Sequence, residues 1–242
     1  MSAFIAQLMT ARQQLSFELD RFMLLWRYQH ATPPFTLWWR LVLKRVTDFA
    51  GGVVILALTA PVMLLLAVII KLNSRGPVLF VQERLGWFGR PFKMYKFRSM
   101  VVDAEKSTGP VWCARKNDPR ITPLGRFLRK THLDELPQLF NVILGDMSLV
   151  GPRPERQCFV SQLSQIVPRY DERHYVKPGM TGLAQVHYRY DQNVNDVKKK
   201  LRFDLLYVKR MCLLLDAKIL AWTLLVCVTG RGIGIRQLET VQ

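Results

Sequence analysis

"FAGGVVILALTAPVMLLLAVII", Phe49 to Ile70, is a run of 22 residues without a charge. A straight helix of that length reaches about 33 Å, enough to cross the hydrocarbon core of a bilayer. Two features complicate a simple crossing. Pro61 falls near the centre, where proline removes a backbone hydrogen bond and bends a helix. Cations also flank both ends: Arg40, Lys44 and Arg45 before, Lys71, Arg75 and Arg84 after. Positive residues gather on the cytoplasmic side of a span, so a true crossing should be lopsided. The symmetric flanks favour a re-entrant helix that enters, bends at Pro61 and leaves on the same side. A straight transmembrane helix and a buried core helix are the alternatives.

Upstream, Phe4, Leu8, Ala11, Leu15, Leu19, Phe22 and Trp26 recur at steps of three and four. That spacing predicts an amphipathic helix over 1–30, docked on its own domain, on a second copy or on a membrane surface. "ATPP", Ala31 to Pro34, ends it. There is no basic start with an apolar run and a cleavage site, so no secretory signal is expected. Downstream, "PVLFVQ" (77–82) and "PFKMYKF" (91–97) bracket Gly86 and Gly89, which predicts a β-hairpin. A polar, turn-rich loop follows over 101–122. Helical patterns are then expected over 123–145, 156–175 and 195–228, with "KPGMTGLAQV" (177–186) as a glycine-bearing loop into a short strand or turn. The apolar tail 219–228 is too short to span a bilayer and should lie on the domain or at an interface.

The formal net charge of +17 calls for an anionic partner: nucleic acid, anionic lipid or a phosphorylated substrate. Half the residues are hydrophobic, so the chain carries a real core. Cys113, Cys158, Cys212 and Cys227 form no C-x-x-C or zinc spacing and read as reduced thiols. The four histidines show no metal-binding spacing either.

One stretch concentrates chemistry. "RKTHLDELPQLFN", Arg129 to Asn141, sets two adjacent carboxylates, Asp134 and Glu135, just after a cluster of cations. Pro137 suits a first helical turn, so Asp134 is expected to cap a helix running to about Leu144, with Glu135 facing its dipole. The surroundings suggest more. Arg126, Arg129 and Lys130 lie upstream, Arg153 sits between Pro152 and Pro154, and Arg98 ends the hairpin. The arginine fork matches phosphate oxygens, and a proline-framed arginine loses less freedom on binding. Such a site could take a diphosphate, with Mg²⁺ bridging it to a carboxylate, or with an aspartate attacking phosphorus.

"DPRITPLGRFLRKTHLDELPQLFNVILGDMSLVGPRPE", Asp118 to Glu155, resembles the bacterial monotopic phosphoglycosyl transferases, also called bacterial sugar transferases. The resemblance runs from about Lys44 to Gly230 and takes in "KRVTD", "VQERLG", "KMYKFRSM", "LDELPQL", "GPRPE" and "KPGMTGLAQV" in order. It implies transfer of a sugar-1-phosphate from a UDP-sugar to polyprenyl phosphate, with release of UMP. It implies Asp134 as the nucleophile of a covalent phosphosugar intermediate, and Asp134 and Glu135 as the Mg²⁺ site. Arg129, Arg153, Lys130 and, less directly, Arg98 would contact substrate phosphate or nucleotide.

The fold implied is α+β and mostly helical. A small cytosolic catalytic domain with a β-hairpin would be anchored by a proline-bent re-entrant membrane helix and interfacial amphipathic helices. The expected division is an N-terminal helix and linker over 1–40, the membrane helix over 41–75 and the catalytic domain over 76–242. Localisation would be the cytoplasmic face of the bacterial inner membrane, against anionic headgroups, without nucleic acid, and with a homodimer open through the N-terminal helix. Two departures stand out. His132 replaces the small hydroxyl residue common at that place, and the several transmembrane helices that precede the domain in larger members are missing, as in a minimal catalytic form. A membrane-anchored nucleic-acid binder and a non-catalytic scaffold of polysaccharide assembly are the competing readings; neither explains an intact carboxylate pair among cations.

Overall fold

The apolar run lies within α1, a single helix from Pro34 to Asn73 that continues through Pro61. It begins before residue 41, so residues 34–40, expected to lie outside the membrane helix, belong to the same helix as the apolar run. It is the one helix among the described residues long and apolar enough to cross a membrane. The computed structural model describes residues 20–27, 34–106, 109–110, 118–188 and 194–229. Residues 1–19 and 28–30 of the expected amphipathic helix, and residues 107–108 and 111–117 of the expected loop, lie outside them.

α1 touches the rest of the molecule on both sides of Pro61. Before it, Gly51 and Gly52 approach Leu149, Val142 and Ile143. After it, Met63, Leu66 and Ile70 bury against Phe97 and Leu128. Leu58, Val62, Leu64 and Leu65 stay exposed, an apolar face that none of the described residues covers. Two of the flanking cations are not available to lipid. Lys44 is buried in an ion pair with Asp216 at 2.7 Å, and Arg45 donates to the Val142 and Ile143 carbonyls, both at 2.7 Å. Counting basic flanks therefore overstated the symmetry of the charge around the run.

The hairpin forms as expected. β1 (Leu79–Leu85) pairs antiparallel with β2 (Pro91–Phe97), Leu79 opposite Phe97 and Leu85 opposite Pro91. Its turn, Trp87–Gly89, holds Phe88 in the left-handed region at φ 51°. Trp87 donates to the Tyr175 carbonyl and the Phe88 ring stacks on Tyr175, which offsets that strain. The stretch 20–27 is helical and docks on this turn. Arg21 lies over the Trp87 and Phe88 rings, and Leu25 is buried in the main core. Of the three sites open to the N-terminal helix, this part occupies the chain's own domain.

The helical stretch expected over 123–145 is broken. α2 (Pro123–Thr131) starts at Thr122, whose hydroxyl accepts from the Gly125 amide. It stops at His132, which takes a left-handed φ of 58°. A 3₁₀ turn, Leu133–Glu135, follows, and then α3 (Gln138–Leu144) with Pro137 at its N-cap. β3 (Ser148–Val150) pairs in parallel with β4 (Gly179–Thr181). Between them α4 (Gln157–Ile166) ends at the Val167–Pro168 boundary, and a separate 3₁₀ segment, Tyr170–Tyr175, follows. α5 is short, Leu183–His187. The long C-terminal pattern is two helices, α6 (Val194–Arg210) and α7 (Leu213–Thr229). α7 packs on the core through Leu215 and Ile219, while Leu224 and Leu225 face outward.

The molecule is thus mostly helical with small sheets. Its main core joins α1, α3, β3, α6 and α7 through Leu37, Leu139, Val142, Val150, Tyr207 and Ile219. The carboxylate pair sits where this core meets the smaller cluster around Phe97 and Leu128.

Candidate active site

Asp134 is not a helix cap. It lies inside the 3₁₀ turn, no side chain caps either that turn or α3, and Pro137 holds the N-cap position of α3. Two breaks five positions apart, His132 and Pro137, leave no room for a cap at 134. The left-handed bend at His132 turns Asp134 inward, to 7% exposure. His132 itself is exposed. Its mark on the site is that backbone bend, which costs a non-glycine residue about 1 kcal/mol.

The two carboxylates have opposite surroundings. Glu135 Oε1 accepts from Lys96 Nζ at 2.9 Å and from Arg153 Nη2 at 2.6 Å, and Oε2 faces Arg153 Nη1 at 3.3 Å. Burial alone would raise its pKa; Arg153 and Lys96 outweigh burial and hold it well below the usual carboxylate range. Asp134 accepts no hydrogen bond among the described residues. Burial, then the neighbouring Glu135 charge, raise its pKa; Lys96, Arg129 and Arg153 oppose them without reversing the shift. Burial also lowers the Lys96 pKa, against the pull of Glu135.

Each cation is set by a local device. Arg129 Nε donates to Ser99 Oγ at 2.9 Å. α2 lies so close to Ser99 that a Cβ on Gly125 would fall 1.9 Å from the Ser99 carbonyl oxygen. Lys96 is aimed by Asn141, which is fully buried. The Asn141 amide takes the place of a neighbouring strand: Oδ1 accepts from Tyr95 N at 3.1 Å and Nδ2 donates to Lys93 O at 2.7 Å. This fastens α3 to β2 and brings Lys96 to Glu135.

Of the residues expected at the site, Asp134, Glu135, Arg129 and Arg153 converge. Arg98 stands apart: it donates to Ser74 O, Ser74 Oγ and Arg75 O, all at 2.8 Å, and so fastens the end of α1. Lys130 lies on the exposed face of α2 beside Arg126 and Phe127. Lys96, Ser99 and Asn141 were not singled out from the sequence. The first two lie in "KMYKFRSM", but one strand in isolation does not say which lysine turns toward a distant acid. No cluster of three or more histidine, cysteine or acidic residues able to hold a metal is present among the described residues. A magnesium ion that takes most of its oxygens from phosphates and water needs only one or two carboxylates. Asp134 fits that requirement as it stands; Glu135 has both oxygens turned to cations.

Asp134 and Glu135 thus lie among Lys96, Arg129 and Arg153 on a small α+β body, beside a helix long and apolar enough to cross a membrane. The chain belongs to the bacterial sugar transferase family, whose model matches residues 39–230. It is 44% identical over 190 residues, 78% of its own length, to the UDP-N-acetylgalactosamine-undecaprenyl-phosphate N-acetylgalactosaminephosphotransferase of Aeromonas hydrophila. It is 44% identical over 184 residues, 75% of its length, to the UDP-glucose:undecaprenyl-phosphate glucose-1-phosphate transferase of Escherichia coli K12. It is 42% identical over 202 residues, 79% of its length, to the exopolysaccharide production protein PSS of Rhizobium leguminosarum. The matched regions make up 44% and 39% of the first two proteins and 98% of the third.

Proposed function

We propose that the protein transfers a sugar-1-phosphate from a UDP-sugar to undecaprenyl phosphate and releases UMP, with Asp134 as the nucleophile. The observation that carries this reading is a carboxylate, 7% exposed, that accepts no hydrogen bond from the described residues and lies among Lys96, Arg129 and Arg153. A carboxylate serving structure alone would be expected to have its oxygens hydrogen-bonded. In the first step an Asp134 oxygen attacks the sugar-bearing phosphorus. The bond from that phosphorus to the bridging oxygen breaks, and its electron pair leaves with UMP. In the second step an oxygen of undecaprenyl phosphate attacks the same phosphorus and Asp134 departs as a carboxylate. The cations stabilise charge on the phosphoryl oxygens in both steps. Glu135 holds Lys96 and Arg153 toward that position. Mg²⁺ is the proposed cofactor, held by Asp134, by substrate phosphate and, where a cation gives way, by Glu135; it would supply further charge neutralisation.

The same reading makes α1 a re-entrant anchor on the cytoplasmic face of the inner membrane. Its support is that Lys44 and Asp48, before Pro61, and Ile70 and Ser74, after it, all bear on the one catalytic body. A straight crossing would carry one of these ends away from that body. The exposed apolar turn from Leu58 to Leu65 would then enter the lipid. Membranes supplied with undecaprenyl phosphate, Mg²⁺ and a panel of UDP-sugars should release UMP, and Asp134→Asn or chelation should stop it. Full activity in Asp134→Asn would remove the nucleophile assignment. Cysteine probes before Phe49 and after Ile70 should label from the same side; labelling from opposite sides would overturn the anchor.

A further inference from the structure

We infer that Arg173 is a positioning residue for Arg153, and through it for the Glu135 side of the site; this rests on the proposed reaction. Arg153 belongs to the turn Pro152–Glu155, whose four successive carbonyls are each held by a different donor. Pro152 O accepts from Gly179 N at 2.9 Å, Arg153 O from Arg173 Nη2 at 2.9 Å, Pro154 O from Arg84 Nη1 at 3.2 Å, and Glu155 O from Leu85 N at 2.9 Å. Proline at 152 and 154 fixes two of the φ angles. The turn is therefore located by its neighbours from β1, β4 and the 3₁₀ segment Tyr170–Tyr175.

Arg173 is the member of this set that grips Arg153 itself through a side chain. Its guanidinium is rigid in turn. It is 7% exposed, Nη1 donates to the Tyr170 hydroxyl at 2.7 Å, and Nη2 pairs with Asp204 Oδ2 at 2.8 Å. A fixed cation thus holds the main chain of a second cation whose own fork is closed on Glu135. Arg173 donates to neither Asp134 nor Glu135. If it slackens, Arg153 moves and the bidentate grip on Glu135 is lost. A misplacement of about 1 Å in such a site costs on the order of 10²-fold in rate.

The test is a double-mutant cycle on the full membrane-bound chain, read by UMP release and by calorimetric binding of pyrophosphate. Arg173→Met should lower turnover about 30- to 100-fold in an otherwise wild-type chain, and less than about 3-fold on top of Arg153→Ala. Arg173→Lys, which keeps a donor to the Arg153 carbonyl, should restore most of the loss. Tyr170→Phe, which keeps the fold but frees one edge of Arg173, should show a smaller loss with the same dependence on Arg153. Pyrophosphate affinity should follow the same cycle. Equal losses from the Arg173 and Tyr170 variants in both Arg153 backgrounds would overturn the positioning role and leave the transferase reading intact. A wild-type chain that turns over no UDP-sugar, yet shows the coupled pyrophosphate cycle, would remove the transferase reading and leave the positioning role standing.

Discussion

Two regions of this protein bury a lysine with two carboxylates, and they treat them differently. At the foot of α1, Lys44 pairs with Asp216 at 2.7 Å and approaches Asp48 at 3.8 Å. Asp48 Oδ1 accepts from Ser148 Oγ and Leu149 N, and the single Tyr207 hydroxyl proton lies between Asp216 Oδ1 at 2.7 Å and Val150 O at 2.9 Å. Around Lys96, Glu135 is held as fully, but Asp134 accepts no hydrogen bond from the described residues. A buried charge with every partner in place fixes an element; a buried charge without them stores free energy that a substrate can release. The first region locks α1 to α7 and β3. The second carries the carboxylate proposed as the nucleophile.

The sharpest way to break this contrast is Asp134→Asn. It should abolish UMP release, by at least ~10³-fold. It should also stabilise the fold by about 1 kcal/mol, because a buried charge without a hydrogen bond is removed. A melting curve beside the UMP assay checks both; a large fall in melting temperature would contradict the picture. Lys44→Met at the foot of α1 should act in reverse. It leaves Asp216 buried with its cation gone and should cost roughly 3–5 kcal/mol, seen as early unfolding in denaturant. Gly179→Ala should be costly for a steric reason. Its Cβ would lie 2.0 Å from the Gly151 amide nitrogen, forcing β3 and β4 apart beside Arg153. A loss of about 3 kcal/mol is expected by chemical denaturation.

Lys96→Gln tests the link between the regions of charge. It keeps the strand, and a ~10- to 100-fold loss in turnover with little change in melting temperature is expected. The smallest effect is the dependence on pH. Glu135 has a depressed pKa in the folded state, so it stabilises the fold above its ordinary 4.5 and the gain is lost as pH falls through the folded value. Asp134 has a raised pKa, so its contribution is greatest below the ordinary 3.8 and is lost as pH rises through the folded value. The melting-temperature advantage of Asp134→Asn over wild type should therefore grow from pH 4 towards neutrality. An advantage that shrinks over that range would mean Asp134 has a partner when ionised.

Much of the architecture was legible in linear order. The uncharged run at 49–70, the hairpin flanked by Pro77 and Phe97, and the convergence of Asp134, Glu135, Arg129 and Arg153 follow from periodicity, turn residues and motif. The helix boundaries at 131–138, 166–170 and 210–213 were not, because each depends on a local backbone choice that a helical pattern conceals. His132 adopts φ 58° and Arg169 φ 64° only because the packed elements around them enforce it. Arg98 shows a further dependence on tertiary contacts. Its type and place suit a phosphate, yet its donors go to the end of α1.

The sequence by itself determined which groups were available: a cation-rich chain, an apolar run with a central proline, and two adjacent acids before Pro137. Those are properties of residue type and spacing, and no neighbour can alter them. Only the tertiary structure decided what surrounds each acid. It gave Glu135 two cations from β2 and the Pro152–Glu155 turn, and gave Asp134 burial with no hydrogen bond from the described residues. Desolvation and pairing depend on what comes near in space, and Lys96 and Arg153 lie 39 and 18 residues from Glu135 along the chain.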